Sequence, residues 1–188
     1  MTPGRTRDAD IDTRVLAAAA RMLAANGYEG LSLAAVAAEA GTTRQALYRR
    51  WPGKAELAAA AVESMEETAA EPVDAGPYVA LVAELRDFAA AIRRPGRLSL
   101  VGTMLQETTD EDARERYRAR IIAPRRRRLL GIFERAQCLG LIDPNADLEI
   151  AVTMCTGSWY GRALAESKVP ARWAERTAAL VWRGVGGG

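Results

Sequence analysis

The stretch from Leu31 to Leu57, LSLAAVAAEAGTTRQALYRRWPGKAEL, concentrates side chains suited to reading another polymer. Arg44 and Arg49 each offer a forked guanidinium that can donate two hydrogen bonds to a guanine edge, and Gln45 can pair with an adenine edge. Thr42, Thr43 and Tyr48 bring hydroxyls that suit phosphate oxygens. A step of about 100° per residue from Arg44 sets Arg44, Gln45, Tyr48 and Arg49 on one helical face. The same step turns Leu47 and Trp51 to the opposite side and leaves Ala46 between. A short rod with an apolar back and a front of Arg, Gln and Tyr fits the major groove of a DNA duplex. Gly41 supplies the turn before it, and Ala37 is small enough for two helices to cross closely.

Lys54 opens the next helix. A lysine in a first turn opposes the helix dipole, unless an anion binds where the free N–H groups and the ammonium converge. A DNA phosphate is one such anion; simple solvation, with Glu56 compensating, is the alternative. The run Arg125 to Arg128 reads as a second nucleic-acid patch or as a solvated helix face. The latter is favoured, because a helix spreads four successive residues around its circumference.

Met154, Gly157, Tyr160 and Gly161, with Trp173 and Trp182, read as a dimer interface, since small residues four apart permit close helix approach; core packing within one subunit is the competing reading. Phe88, Leu100, Met104, Leu105, Tyr117 and Ile121 are candidates for lining an effector pocket, as adaptable Met and aromatic side chains suit such sites. Each of them by itself is more readily a core residue.

Other chemistries are disfavoured. The chain has no histidine, and its two cysteines, Cys138 and Cys155, are not at metal-binding or redox spacing. No Ser or Cys stands beside a plausible base, so an enzyme is not expected, nor a cofactor or a metal. A net charge of +2 is small for a sequence-indifferent DNA-packaging protein. Charge is unevenly placed: residues 1–54 carry eight basic and five acidic side chains, whereas 55–75 carries Glu56, Glu63, Glu66, Glu67, Glu71 and Asp74 with no base. No apolar run approaches the roughly 20 residues of a membrane span, the N-terminus is not a signal peptide, and a cytoplasmic protein with reduced thiols is expected.

The elements that must position these residues are helices. With 49% hydrophobic and 27% charged residues, abundant alanine and few β-branched residues, the 188-residue chain reads as an all-α protein of about nine helices. Residues 1–9 are expected to be disordered. Helices are expected at about 10–26, from Ser32 to Ala40, from Thr42 or Thr43 to Arg50, and at 54–70. Beyond them follow about 78–93, 97–107, 110–137, 146–167 and 171–184, with Pro124 kinking or dividing the long one and Gly186 to Gly188 a frayed tail. The expected division is a three-helix DNA-binding domain over 1–58, connected by helix 4, and a ligand-binding and dimerisation domain over 59–188.

These residues resemble the TetR family of transcriptional regulators. The resemblance covers about 11–57 and rests on Gly27, Leu31 and Leu33, Val36-Ala37, Ala40-Gly41, Leu47-Tyr48, Trp51, and Lys54 with Leu57. Trp51 stands where phenylalanine is usual, and Thr42-Thr43 where valine-serine is common. The resemblance implies a ligand-responsive repressor that binds a palindromic double-stranded DNA operator as a homodimer. It also implies a small-molecule effector bound by the C-terminal helices and a four-helix dimer interface made by the last two. By that likeness Ser32, Thr42, Thr43, Tyr48 and Lys54 meet phosphates, and Arg44, Gln45 and Arg49 meet bases.

Overall fold

A computed structural model describes residues 4–64, 76–94, 97–105, 111–165 and 168–188. Among them every regular element is helical: α1 (Gly4–Asn26), α2 (Leu33–Glu39), α3 (Arg44–Arg50), α4 (Lys54–Ser64), α5 (Pro77–Ile92), α6 (Arg97–Met104), α7 (Glu111–Tyr117), a π-helical turn (Arg118–Ile122), α8 (Ala123–Cys138), α9 (Leu148–Ala165) and α10 (Trp173–Gly184). Because α7, the π turn and α8 follow without a break, these make nine helical segments, as the periodicity anticipates. No described helix is long and apolar enough to cross a membrane.

The contacts divide the chain into two compact units, one drawn from Met1–Glu67 and Ile92–Ala123, the other from Thr68–Ala91 and Pro124–Gly188. They thus group residues 92–123 with the N-terminal helices, whereas a division at 58 follows motif boundaries. In the first unit the buried core runs through Val15, Ala19 and Leu23 of α1, Val36 and Ala37 of α2, and Leu47 and Trp51 behind α3. Leu100, Met104, Tyr117 and Ile121 of α6, α7 and the π turn complete it. Six successive residues of α4, Leu57 to Val62, are buried. A helix apolar on all sides needs neighbours on several of them, and α1 and α7 pack against it.

Three expectations are corrected. Helix α1 starts at Gly4, not near Asp10, so residues 4–9 are helical rather than disordered. No proline or further glycine falls between Gly4 and the end of α1 at Asn26, and a helix once formed gains one hydrogen bond per added residue. Asp10 and Asp12 therefore lie inside the helix, where they pair with Arg14 at 3.0 Å and Arg50 at 2.8 Å. The C-terminal glycines are not a frayed tail: Gly187 is buried, with its N–H on the carbonyl of Trp182 at 2.9 Å. Gly186 at φ 85° folds the chain back, and a Cβ on Gly187 would lie 2.2 Å from the Trp182 ring.

Pro124 does interrupt the long helix, through a change of winding. It has no N–H for the carbonyl four residues before it. The preceding turn widens to a π pattern, in which the N–H of Ala123 bonds to Arg118.

The third correction concerns the arginine run, which is no uniform solvated face. Arg125 of α8 is buried; its two terminal nitrogens donate to Glu84 at 2.9 Å and to Asp87 at 3.0 Å, both on α5. Arg128 grips the same Glu84 carboxylate with two nitrogens. Arg126 donates to Thr153 and Glu149 of α9. Beside this network Phe88, Trp159 and Trp173 pack mostly edge to face, with Trp159 and Trp173 5.1 Å apart, and the Arg125 guanidinium lies over Phe88 at 5.4 Å. Cys155 is buried in α9 and Cys138 exposed at the end of α8, both as free thiols. Burial pushes the Cys155 thiol up to about 12, so it stays protonated and inert at neutral pH.

Removing one member of a buried ion pair strands its partner's charge. Glu84→Ala, which takes a carboxylate from buried Arg125, is expected to cost about 3 kcal/mol of unfolding free energy in urea titrations.

Candidate nucleic-acid interface

The short pair α2 and α3 is defined at its ends by side chains read from the sequence. Ser32 caps α2, its hydroxyl accepting from the Ala35 N–H at 3.4 Å, and Thr43 caps α3, accepting from the Ala46 N–H at 3.1 Å. Of the two threonines offered for that role, Thr43 takes it. Between the caps, Gly41 adopts φ 67°. Its N–H bonds to Ala38 and that of Thr42 to Ala37 at 2.9 Å, the paired closure by which a helix ends on a left-handed residue.

The faces of α3 fall as the periodicity expects. Leu47 is buried at 1% exposure and Trp51 is buried behind it, its N–H on the carbonyl of Leu47. Arg44, Gln45, Tyr48 and Arg49 are exposed and Ala46 is half-buried. Arg44 donates to the Tyr48 hydroxyl at 3.1 Å and lies over its ring, so these two side chains move as a pair.

Other basic groups of this unit hold it together. Arg14 donates to the carbonyl of Ala40 at the end of α2, Arg21 to Glu39, and Arg50 of α3 pairs with Asp12 of α1. The Lys54 ammonium sits 2.8 Å from the carbonyl of Glu29 and 4.8 Å from the centre of the Tyr28 ring. The reading of Lys54 as merely solvated with Glu56 compensating is corrected: Glu56 pairs with Arg116 of α7 at 3.1 Å. The structural roles of Arg14, Arg21 and Tyr28 are absent from the sequence reading, and no local pattern marks them. The partners of Arg14 and Arg21 are 26 and 18 residues away.

A capped seven-residue rod, pinned from behind and bare of acid on its outer face, is suited to entering a nucleic-acid groove. The family model of bacterial regulatory proteins of the tetR family matches residues 15–61, from within α1 to within α4. A second, the tetracyclin repressor-like C-terminal domain, matches residues 77–181, more than half of the chain. The chain belongs to the TetR family. A similar relative over most of the length is the HTH-type transcriptional regulator YdeS of Bacillus subtilis, 26% identical over 166 residues that cover 86% of this chain and 82% of that protein. The DNA-binding transcriptional repressor TetR of Mycobacteroides abscessus is 33% identical over 121 residues, 62% of each chain. Among solved structures, FadR from Bacillus subtilis in complex with stearoyl-CoA superposes with a TM-score of 0.71 at 17% identity, covering 92% of this chain and 98% of that one; at that identity the likeness is one of fold.

The other candidate residues of this TetR-family regulator are scattered. Phe88 belongs to the aromatic cluster of the second unit, while Leu100, Met104, Tyr117 and Ile121 are buried in the core of the first. Leu105 is 79% exposed just after α6. Met154, Gly157 and Gly161 lie on the exposed face of α9, where Ile150 and Leu164 extend them into a stripe, and Tyr160 is half-buried. Trp173 and Trp182 are buried within their own unit, Trp182 edge to face with Tyr78, and have little surface left for a partner.

Gly41→Ala would force a side chain into the left-handed region, although nothing lies within 4 Å of the added Cβ. The backbone alone is expected to cost about 1 kcal/mol, seen as a lower urea midpoint of the whole chain.

Proposed function

We propose that this transcriptional regulator is a homodimeric repressor whose α3 reads a palindromic double-stranded operator and whose release is triggered by a small-molecule effector. The observation carrying the reading is the outward face of α3, where Arg44, Gln45, Tyr48 and Arg49 project from a rod anchored by Leu47 and Trp51. On this reading Arg44, Gln45 and Arg49 meet base edges, and Ser32, Thr42, Thr43, Tyr48 and Lys54 meet phosphates. A two-fold dimer puts two such rods on one face of the duplex, their half-site centres about 34–36 Å apart. Repression is the sense carried by the name of the Mycobacteroides abscessus relative.

The dimer face is assigned to the α9 stripe of Ile150, Met154, Gly157, Gly161 and Leu164, with exposed Leu180 of α10. Its apolar residues recur every three or four positions on one side of α9, and the two glycines let a partner helix approach closely. The effector remains a small molecule of unassigned chemistry. A ligand in the FadR neighbour supports the class. Of the candidate contacts, Leu105 is reachable as it stands; Phe88, Leu100, Met104, Tyr117 and Ile121 require packed side chains to part. The protein acts in the cytoplasm, where its DNA is.

Selection of binding sites from random duplex DNA by the purified protein should return a palindrome; enrichment without symmetry or sequence preference would overturn the reading. Arg44→Ala is expected to cost about 1–3 kcal/mol on the selected site and to relax the preference at particular base pairs. Tyr48→Phe and Lys54→Ala should weaken binding to all sequences, and loss of the Lys54 charge should lower the salt slope by about one. Since Lys54 also bonds to Glu29, its variant is compared by thermal melting as well.

Placing a carboxylate in the α9 stripe separates the dimer reading from the DNA reading. Gly161→Glu should shift the sedimenting species from dimer to monomer with the helical circular dichroism unchanged. A dimer that survives it with undiminished affinity would move the interface elsewhere.

A further inference from the structure

We propose that Arg116 of α7 is a positioning residue for DNA binding, acting by holding the Glu56 carboxylate away from the phosphate seat at the start of α4. The proposal rests on the phosphate role given above to Lys54.

The first turn of α4 suits an anion and carries one of its own. Gly53 caps the helix, its carbonyl accepting from the N–H of Leu57 at 3.1 Å. The first N–H groups of a helix find no acceptor within it, and the dipole makes that end positive. Glu56 is the acidic residue of this first turn. A carboxylate three residues past the cap can reach back to the N–H of the capping residue. It then competes for the groups that a DNA phosphate would use. Glu56 is near enough to do so: one of its carboxylate oxygens lies 3.9 Å from where a Cβ on Gly53 would stand.

The fold sends that carboxylate elsewhere. It pairs with the Arg116 guanidinium at 3.1 Å, and with 19% of the Glu56 side chain exposed the pair is partly shielded from salt. Arg116 also meets Asp112, one turn back on α7, at a longer 3.5 Å. Helices α4 and α7 pack together within the first unit. Residues two apart on a helix do not face each other. Lys54 accordingly turns to the other side, its ammonium 2.8 Å from the Glu29 carbonyl and 3.7 Å from the exposed Glu29 carboxylate. The anion of the first turn is thus tied to α7 while its cation stays at the surface. Without Arg116, the donors nearest to the Glu56 carboxylate are the N–H groups that open its own helix. Negative charge would then occupy the place of the phosphate. A shift of α7 that breaks the pair would release the carboxylate in the same way.

The experiment measures the affinity of the full chain for a labelled duplex of arbitrary sequence at low salt, since a phosphate contact is felt on any sequence. Arg116→Ala should weaken binding about fivefold, the scale of one charge at a helix end, and Arg116→Lys should weaken it less. Glu56→Gln should instead tighten binding, although it breaks the same ion pair. The double variant Arg116→Ala with Glu56→Gln should return to within about twofold of the unaltered chain, a coupling that separate effects would not give. Loss of stability cannot mimic this pattern, because both single variants lose the same tie between α4 and α7; thermal melting checks that they do so alike. Arg118→Ala removes an equal charge, paired with exposed Glu111, and should change affinity less than Arg116→Ala. Weakening by Glu56→Gln, a double variant no better than Arg116→Ala, or an equal loss in Arg118→Ala overturns the proposal. If Lys54→Ala weakens binding and Arg116→Ala does not, this proposal alone falls. If Lys54→Ala leaves affinity unchanged, the phosphate role of Lys54 falls and takes the proposal with it.

Discussion

A helix of seven residues has no stability of its own in water, where isolated helices shorter than about 12–15 residues are marginal. Helix α3 exists because Leu47 and Trp51 are buried beneath it, Thr43 closes its first turn, and Arg50 is tied to Asp12 of α1. Most of the side chains proposed to reach DNA are presented by this short rod or by its immediate flanks. Its rigidity is therefore borrowed from the core of the first unit, and disturbing Val15, Leu23 or Val36 would blur the reading face without touching it.

Charge is distributed by the same logic. Arginines that face acidic or carbonyl partners, at positions 14, 21 and 50, hold helices together. Those left pointing outward from α3, Arg44 and Arg49, are the ones proposed to meet a polyanion. A net charge of +2 conceals this, because the two groups count alike in a sum. Lys54 combines the roles, being held against Glu29 and Tyr28 at the start of α4 while 28% of its side chain stays exposed.

The second unit solves a different problem. It surrounds a buried carboxylate with two arginines and sets an aromatic cluster beside them. Removing paired charges from water costs nearly as much as their attraction returns, so the pairing of Glu84 with Arg125 and Arg128 fixes the register of α5 against α8 more than it adds stability.

The sequence by itself determined what depends on neighbours within one or two turns. Among these are the all-helical class, the sorting of Arg44, Gln45, Tyr48 and Arg49 from Leu47 and Trp51, the cap at Ser32, the left-handed Gly41, and an irregularity at Pro124. Each follows from a period of 3.6 residues or from a backbone restriction intrinsic to one residue type. Only the tertiary structure decided the grouping of α6 and α7 with the N-terminal helices, the start of α1 at Gly4, the closure of the glycine tail on Trp182, and the splitting of four adjacent arginines into buried, bridging and exposed members. These depend on contacts between residues far apart in the chain. Glu84 and Arg125 are 41 positions apart, and no local periodicity carries information across that distance.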